Sequence, residues 1–200
     1  RSSAISCAKA SRVSQRVCVR RGNMVDRWKK IGSKERADFR FFSVREDRSV
    51  SPRTGREHDF IVMEMNHWVN VVAVTPQGRI VMVRQFRHGT EQTGLEIPGG
   101  VIETGEDPAQ AAARELLEET GYTAIEIAPL GKVAPNPALQ DNWCFSFLAR
   151  NACKTNEQML DAGEDIDVLE VDPAEIRALV DSGEINHGVV VVALAFAGHL

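Results

Sequence analysis

Residues 100–122 read GVIETGEDPAQAAARELLEETGY, and the part from Arg114 to Glu119 holds three glutamates and one arginine. Each residue of an α-helix advances by about 100°. Glu115, Glu118 and Glu119 would therefore share one helix face, at positions i, i+3 and i+4. Three like charges on one face repel one another, so a positive partner is expected against them. Carboxylate oxygens of this kind suit Mg²⁺ or Mn²⁺.

The ends of this predicted helix are marked by particular residues. Asp107 can accept hydrogen bonds as the N-cap, and Pro108 suits the first helical position. Gly121 can adopt the left-handed conformation that ends a helix. Before the helix, residues 95–102 favour a short strand that leads into a glycine-rich loop. Exposed main-chain groups are therefore expected near the acidic helix face.

This stretch resembles the Nudix box, G-x5-E-x7-R-E-U-x-E-E-x-G-U, in which U is a bulky apolar residue. Tyr122 stands where the family usually has an aliphatic residue. The resemblance implies an α/β protein with the Nudix α/β/α sandwich, in which a mixed sheet lies between helices. It also implies metal-dependent hydrolysis of a nucleoside diphosphate linked to another moiety. The matching positions are Gly100, Glu106, Arg114, Glu115, Leu116, Glu118, Glu119 and Gly121.

The same resemblance implies roles for the residues of the box. Glu115 and Glu119 would be the main metal ligands, with Glu118 a further ligand and the carbonyl of Gly99 completing the site. Arg114 would hold the glutamates in position, and we count it with Glu118 among the catalytic residues. Mg²⁺ or Mn²⁺ is the implied cofactor. The chemistry agrees, because divalent ions screen pyrophosphate charge and lower the pKa of bound water.

The resemblance extends over residues 40–200 and is strongest locally to ADP-ribose pyrophosphatases and related ADP-sugar hydrolases. Arg87 follows a short apolar run and would bring a guanidinium to the substrate phosphates. Glu96 belongs to a segment similar to the family's L-E-x-P-A-G, and it is implied to bind substrate. Gly99 replaces the alanine of that segment. An ordinary strand-end arginine is the alternative interpretation of Arg87.

Two later segments bear on the substrate and on the general base. Pro137 lies where ADP-ribose enzymes carry a proline, although it could also be an ordinary turn proline. Glu164 lies in a loop resembling the one that supplies a distal carboxylate, and it would serve both as a metal ligand and in catalysis. Ala162 occupies the position where several such enzymes carry their general base. Asp161, Glu164 or a glutamate of the box could take that role. The loop at residues 135–142 also differs from the usual ADP-ribose loop.

Two other functions remain open at this point. The first is a Nudix hydrolase for a different substrate, such as GDP-mannose, another nucleotide sugar or FAD. The second is a module that senses ADP-ribose without cleaving it. Degenerate modules usually lose glutamates of the box, whereas this chain retains them all.

Length and charge suit a single catalytic domain behind a basic leader. The chain has 200 residues and a net charge of −4, which argues against general nucleic-acid binding. Residues 1–23 carry basic residues and no acid. They resemble a transit peptide, or they precede a true start at Met24, which we favour. We therefore expect a leader at residues 1–23, an N-terminal β extension at 24–66 and the Nudix hydrolase domain at 67–200. No membrane span or disulfide framework is indicated, so we expect a cytoplasmic protein without membrane partners.

The remaining pattern predicts mostly strands before the box and mixed structure after it. Residues 187–200 are ambiguous by pattern, and the family resemblance favours a helix there. The apolar residues of the N-terminal extension exceed what one sheet face needs, and in ADP-ribose pyrophosphatases such a sheet packs across a homodimer, so we expect a homodimer. The predicted strands are 39–45, 59–65, 68–75, 79–85, 123–133, 143–150 and 166–171, with turns at 52–55 and 76–78 and a helix from Asp172 to Gly183.

Overall fold

The computed structural model describes residues 25–200, so the leader predicted for residues 1–23 lies outside them. The strands are β1 (Lys29–Asp38), β2 (Phe42–Val50), β3 (Glu57–Met65), β4 (Trp68–Val74), β5 (Ile80–Arg87), β6 (Gln92–Glu96), β7 (Gly99–Val101), β8 (Tyr122–Thr123), β9 (Glu126–Val133), β10 (Cys144–Arg150), β11 (Cys153–Lys154) and β12 (Ile166–Val171). The helices are α1 (Pro108–Thr120), α2 (Ile176–Asp181) and α3 (Gly188–Phe196), and a 3₁₀ turn (Pro173–Glu175) precedes α2.

A mixed seven-stranded sheet forms the middle layer. Its main path is β12-β5-β4-β10-β9, while β6 pairs with β5 and β7 pairs with β4. The pair β4–β10 is parallel and the other pairs are antiparallel. One face buries a cluster with Leu116 of α1, and the other buries a cluster with Ile176 of α2 and Leu194 of α3. Helices therefore cover both faces, which confirms the predicted α/β/α sandwich.

The N-terminal extension is a separate antiparallel sheet of order β1-β2-β3. The predicted turn between its last two strands is present, with Gly55 at a φ of 69°. The prediction was wrong about where the sheet begins, because β1 was not anticipated and β2 starts at Phe42. The sequence of β1, KKIGSKERAD, is polar and almost entirely exposed, so it lacks the apolar alternation that marks a strand. Pairing with β2 and ion pairs such as Arg36 to Glu46 at 2.5 Å hold β1 in place.

Helix α1 begins and ends as its capping residues predict. Oδ1 of Asp107 accepts hydrogen bonds from the N–H groups of Ala109 at 2.9 Å and Gln110 at 3.3 Å. Gly121 has a φ of 73°, and its N–H donates to the carbonyl of Leu117 at 2.8 Å. The helix is therefore fixed in register, which fixes where each glutamate of the box lies.

The ambiguous C-terminal segment forms helix α3. Its buried residues, Val190, Ala193 and Leu194, have the i, i+3, i+4 spacing of a helix face that packs on the core. The side chain of Asn70 in β4 donates from Nδ2 to the carbonyl of Val189 at 3.1 Å, so the first turn is tied to the central sheet. Within the described part of the chain, no helix is both long and apolar enough to cross a membrane.

Candidate active site

The strand predicted at residues 95–102 is interrupted, and this break brings backbone to the acidic helix. Pro98 separates β6 from β7, so the chain passes from pairing with β5 to pairing with β4. The N–H of Gly99 then donates to Oε2 of Glu119 at 2.9 Å. The structure therefore brings Gly99 and Glu119, both predicted metal ligands, into direct contact.

Close packing at this point requires glycine twice. A Cβ atom on Gly99 would lie 2.8 Å from Cα of Asn70 and would overlap the carbonyl of Val69. A Cβ atom on Gly100 would lie 2.6 Å from Cδ of Glu115. Replacement of the family's alanine by Gly99 therefore matches the tight approach of this segment to β4.

The three glutamates of the box differ in burial, although they share one helix face. Glu115 and Glu119 are buried, whereas the side chain of Glu118 is 38% exposed. The pKa of Glu119 is raised to about 8, mainly by burial. The hydrogen bond from Gly99 opposes this rise, and the charges of Glu115 and Glu164 contribute to it. Burial also raises the pKa of Glu115, although Arg114 opposes this. Two buried carboxylates thus face one another with too little positive charge to balance them.

Arg114 joins the loop before the helix to the glutamates of the helix. Its guanidinium donates to Glu106 at 2.9 and 3.0 Å, to Glu115 at 2.9 Å and to Glu118 at 3.1 Å. It also donates to the carbonyl of Val101 at 3.0 Å. The hydrogen bonds that Arg114 donates to Glu106 and Glu115 raise the pKa of Arg114, so it stays charged. Arg114 thus contacts two of the glutamates that it is predicted to position, and Glu106 in turn accepts from the N–H of Glu103 at 2.9 Å.

Glu164 reaches the same region from the loop that precedes β12. Its charge acts on Glu115, Glu119 and Arg87, which places it within electrostatic range of all three. Its Oε2 accepts from the N–H of Asp161 at 3.0 Å, while its own N–H donates to the carbonyl of Asp161 at 2.9 Å. The loop therefore turns tightly about Ala162, and its own backbone holds the carboxylate of Glu164.

This loop is attached to the C-terminal end of α1 through backbone groups. The N–H of Met159 donates to the carbonyl of Glu118 at 2.8 Å. Nε2 of Gln158 donates to the carbonyl of Glu119 at 2.7 Å and to that of Ile166 at 3.0 Å. Sequence reasoning missed Gln158, because a lone loop glutamine carries no recognisable signal.

The donor set fits a hard divalent cation, although the described residues contain no ready-made cluster of three metal-ligating side chains. All candidate ligands are oxygen atoms, which suits Mg²⁺ or Mn²⁺. Arg114 and the Gly99 N–H hold the carboxylates of Glu115 and Glu119. The raised pKa values of these two glutamates show a buried site that a positive charge would stabilise.

Beside the acidic face, Arg87 and His187 share one buried carboxylate. Glu96 accepts from Nε of Arg87 at 2.8 Å and from Nη2 at 2.9 Å, and its Oε2 lies 2.8 Å from Nδ1 of His187. Burial opposes ionisation of Glu96, but these hydrogen bonds outweigh it and lower the pKa of Glu96 to about 2. The structure therefore places Arg87 and Glu96, both predicted to bind substrate, in direct contact with each other and adds His187. Sequence reasoning missed His187, which precedes an apolar run without any motif.

A cavity of about 1020 Å³ extends from Arg87, Glu96 and His187 past Gly99 and Gly100 to the N-terminal sheet. Pro137 is exposed and lies outside the lining, whereas Asp141 from the same loop contributes to it. Asp141 accepts from Arg45 at 3.0 Å, so the loop is attached to the N-terminal sheet. Among the residues that line the cavity are Phe39, Phe41, Phe42, Trp68, Arg87, Glu96, Gly99, Gly100 and His187.

Several known proteins are similar in sequence to this chain. An ADP-ribose pyrophosphatase of Bacillus subtilis is 39% identical over 129 residues, which cover 64% of this chain and 70% of that protein. A methanol dehydrogenase activator of Bacillus methanolicus is 35% identical over 129 residues, with the same coverage. A GDP-mannose pyrophosphatase of Citrobacter koseri is 31% identical over 128 residues, covering 58% of this chain and 65% of that protein.

The fold also matches a solved structure. The crystal structure of an ADP compounds hydrolase superposes with a TM-score of 0.78 and 22% identity, covering 88% of this chain and 95% of that chain. The profile of the NUDIX domain matches residues 65–191, which include the whole box and the segment with Arg87 and Glu96. The chain therefore belongs to the Nudix family of hydrolases.

Proposed function

We propose that this protein hydrolyses the pyrophosphate bond of a nucleoside diphosphate-linked substrate, with ADP-ribose preferred and AMP and ribose 5-phosphate as products. One observation carries the proposal. Arg87 lines the same cavity as Gly99 and Gly100. These two glycines lie against Glu119 and Glu115, so the guanidinium and the acidic face of α1 belong to a single site. A diphosphate needs both a cationic side chain and cation-binding carboxylates beside it.

The residues of the site have distinct roles in this mechanism. Glu115, Glu118 and Glu119 would hold divalent ions, with the carbonyl of Gly99 completing the set. When bound, such ions screen the phosphate charge and lower the pKa of a coordinated water. Arg87 binds the phosphates and orients them for attack by the water. Arg114 keeps the glutamates in register through its hydrogen bonds.

Glu164 is the base that we favour for accepting the proton of the attacking water. It lies in the loop that is hydrogen-bonded to the end of α1, and its charge acts on Glu115 and Glu119. Ala162 cannot accept a proton. Asp161 lies in the same turn and is exposed, as Glu164 is, and its N–H donates to the Glu164 carboxylate. A carboxylate near enough to act on the ligand glutamates is placed to receive the proton as the phosphorus–oxygen bond breaks.

The aromatic wall of the cavity supports a nucleotide substrate. Phe39 and Phe42 pack with ring centroids 4.9 Å apart, and Arg40 lies 5.2 Å from the ring centroid of Phe41. This turn between β1 and β2 lines the same cavity as Arg87. Flat, partly exposed rings suit stacking of a purine base.

We also propose that the protein forms a two-fold homodimer through the N-terminal sheet. Phe60 and Ile61 on β3 are 43% and 46% exposed, and Phe41 in the β1–β2 turn is 75% exposed. An apolar surface of this kind is typical of an interface. Because the same turn lines the cavity, assembly would also help to enclose the substrate.

A substrate panel tests the proposed activity. Purified protein is assayed with ADP-ribose, ADP-glucose, GDP-mannose and FAD, in Mg²⁺, in Mn²⁺ and in excess chelator, with phosphate measured after phosphatase treatment. We expect the highest kcat/KM for ADP-ribose and no turnover in chelator. A higher kcat/KM for GDP-mannose would favour the second substrate, which the GDP-mannose pyrophosphatase relatives support. Tight binding of ADP-ribose without cleavage would indicate a sensing module instead.

A further inference from the structure

Both oxygens of the Glu96 carboxylate are already engaged by protein groups. Oε1 accepts from Nε of Arg87, and Oε2 accepts from Nη2 of Arg87 while also facing Nδ1 of His187. The Glu96 side chain is only 6% exposed, whereas those of Arg87 and His187 are 46% and 37% exposed. Glu96 is therefore suited to act on a ligand through Arg87 and His187, the two more exposed side chains that it contacts.

We propose that His187 is a positioning residue, which sets the guanidinium of Arg87 for the substrate phosphates through Glu96. The proposal rests on the proposed function, in which Arg87 binds those phosphates. It assigns Glu96 a positioning role in place of the direct substrate contact predicted from the sequence.

The need for a third partner follows from the geometry of the pair. The forked contact between Arg87 and Glu96 joins two side chains that can still swing together. Glu96 is the last residue of β6, two residues before Pro98 interrupts the pairing. A hydrogen bond from His187 on a different element restricts that swing, because it holds the carboxylate from another direction.

His187 is itself held firmly at the start of α3. Its carbonyl accepts from the N–H groups of Val190 at 3.0 Å and Val191 at 3.1 Å. Asn70 donates to the carbonyl of Val189 at 3.1 Å, which ties the same turn to β4. The imidazole therefore projects from a fixed backbone and can hold the Glu96 carboxylate, and through it Arg87, in one position.

The contact also defines the tautomer of His187. Glu96 is ionised over the ordinary pH range because its pKa lies near 2, so it can only accept a hydrogen bond. The proton of His187 must then reside on Nδ1. This leaves Nε2 without a role in holding Glu96.

Paired variants test the role of the Nδ1 donor. His187→Phe keeps a flat ring and removes the donor. His187→Asn retains an N–H donor at the same distance from Cβ as Nδ1, so it serves as the rescue. His199→Phe makes the same change beyond the other end of α3, outside the cavity lining, and is the matched control.

We expect His187→Phe to raise the KM for ADP-ribose about tenfold, the size of a lost hydrogen bond to a charged group, with a much smaller change in kcat. His187→Asn should stay near the wild-type KM, and His199→Phe should not change it. In an Arg87→Ala background, His187→Phe should have no further effect, because its action passes through Arg87. An unchanged KM in His187→Phe would overturn the proposal. Additive effects of the two changes, or a His187→Asn protein as impaired as His187→Phe, would also overturn it.

A measurement without substrate separates this proposal from the proposed function. ¹⁵N-edited NMR of the imidazole reports which nitrogen carries the proton. We expect Nδ1–H for His187 in the wild type and loss of that preference in Glu96→Gln. If the wild type cleaves no substrate of the panel, the proposed function fails, and the spectrum then decides the His187–Glu96 contact. A proton on Nε2 in the wild type would overturn the positioning role.

Discussion

Gly100 and Glu115 are so close that the carboxylate occupies the space where a side chain would begin. A Cβ atom on Gly100 would lie 2.6 Å from Cδ and 2.7 Å from Oε2 of Glu115. The glycine at the start of the box, Gly100, therefore lies against Glu115 of the helix, 15 positions later by subtraction (115 − 100) but adjacent in space. Any residue larger than glycine at this position must displace a candidate metal ligand.

We predict that Gly100→Ala lowers the turnover of ADP-ribose by at least about tenfold, because misplacing a ligand side chain weakens the catalytic geometry. The apparent affinity for Mg²⁺ should fall as well, and a metal titration of the initial rate measures it. Gly32→Ala is the matched control, since its Cβ would only reach ordinary contact with Cβ of Arg48 at 3.9 Å. Equal metal titrations for the two variants would contradict the prediction.

Neutralising Glu119 should remove most of the activity. Glu119→Gln keeps the size of the side chain but removes a charged oxygen from the metal-binding face, and we expect a loss of about 10²–10³ in kcat. Glu157→Gln is the control, because that side chain is 96% exposed. Its ion pair with Lys154 is long, with 3.9 Å between Nζ and Oε2. Wild-type turnover of Glu119→Gln at saturating Mg²⁺ would remove the metal assignment.

Removing Arg87 should affect both binding and stability. Arg87→Ala is expected to raise the KM for ADP-ribose while the protein still folds. It also leaves the buried carboxylate of Glu96 without its forked partner, which should lower the free energy of unfolding by about 1–3 kcal/mol. Adding Glu96→Gln should restore part of that stability without restoring KM. Urea unfolding and steady-state kinetics on the single and double variants measure the two effects.

If Arg87→Ala lost stability but kept the wild-type KM in its folded fraction, the arginine would be structural. That result would favour the alternative interpretation of Arg87 as an ordinary strand-end arginine. The double variant is informative here, because it isolates the contact with substrate from the contact with Glu96.

The Glu96 contacts should make the fold sensitive to acid. The pKa of Glu96 falls from 4.5 to about 2 on folding, so its contribution to stability is present above pH 4.5 and disappears as the pH falls towards 2. The full contribution is of order 3 kcal/mol, from about 1.4 kcal/mol per pKa unit. The difference in unfolding free energy between wild type and Glu96→Gln should therefore shrink between pH 5 and pH 3, a window roughly set by linkage. A difference that stays constant over that range would contradict the assignment.

Light scattering at micromolar concentration tests the proposed assembly. We expect the mass of two chains for the wild type, and we expect Phe60→Ser combined with Ile61→Ser to shift the protein towards one chain, because both residues are exposed on β3. Ile125→Ser is the control, since Ile125 is fully exposed in a loop outside the N-terminal sheet. A wild-type monomer that hydrolyses ADP-ribose at full rate would defeat both the dimer and the idea that assembly encloses the substrate.

The box and its helix were predictable because the information is local. Asp107 and Gly121 define the helix ends, and the spacing of the three glutamates defines a common face. What the spacing could not show is that Glu119 is buried and Glu118 half-exposed, because burial depends on the β6–β7 segment packing over the helix. Strand β1 was missed for a related reason, since its stability comes from pairing with β2 and not from an apolar pattern.

The contacts among Arg87, Glu96 and His187 could not be predicted from the sequence. Arg87 and Glu96 were assigned to the site through a family resemblance, but both were expected to face the substrate directly. Their mutual hydrogen bonds depend on the register of β5 against β6. The contact with His187 spans 91 positions of the chain and carries no motif. Contacts of this range become visible only when the sheet and α3 are assembled.

The attachment of the Glu164 loop to α1 has a consequence for how this enzyme can diverge. Gly121 fits against the main chain of Asn156, and the N–H groups of Thr155 and Asn156 both donate to its carbonyl, at 2.9 and 3.1 Å. Because these links use backbone atoms, the side chains of the intervening loop can be exchanged over evolutionary time without detaching the loop, with the exception of Gln158, whose Nε2 also attaches it to Glu119. An alanine can then stand at position 162 while the neighbouring carboxylate stays in place, and new specificities can arise in this loop by single substitutions that leave the rest of the enzyme intact.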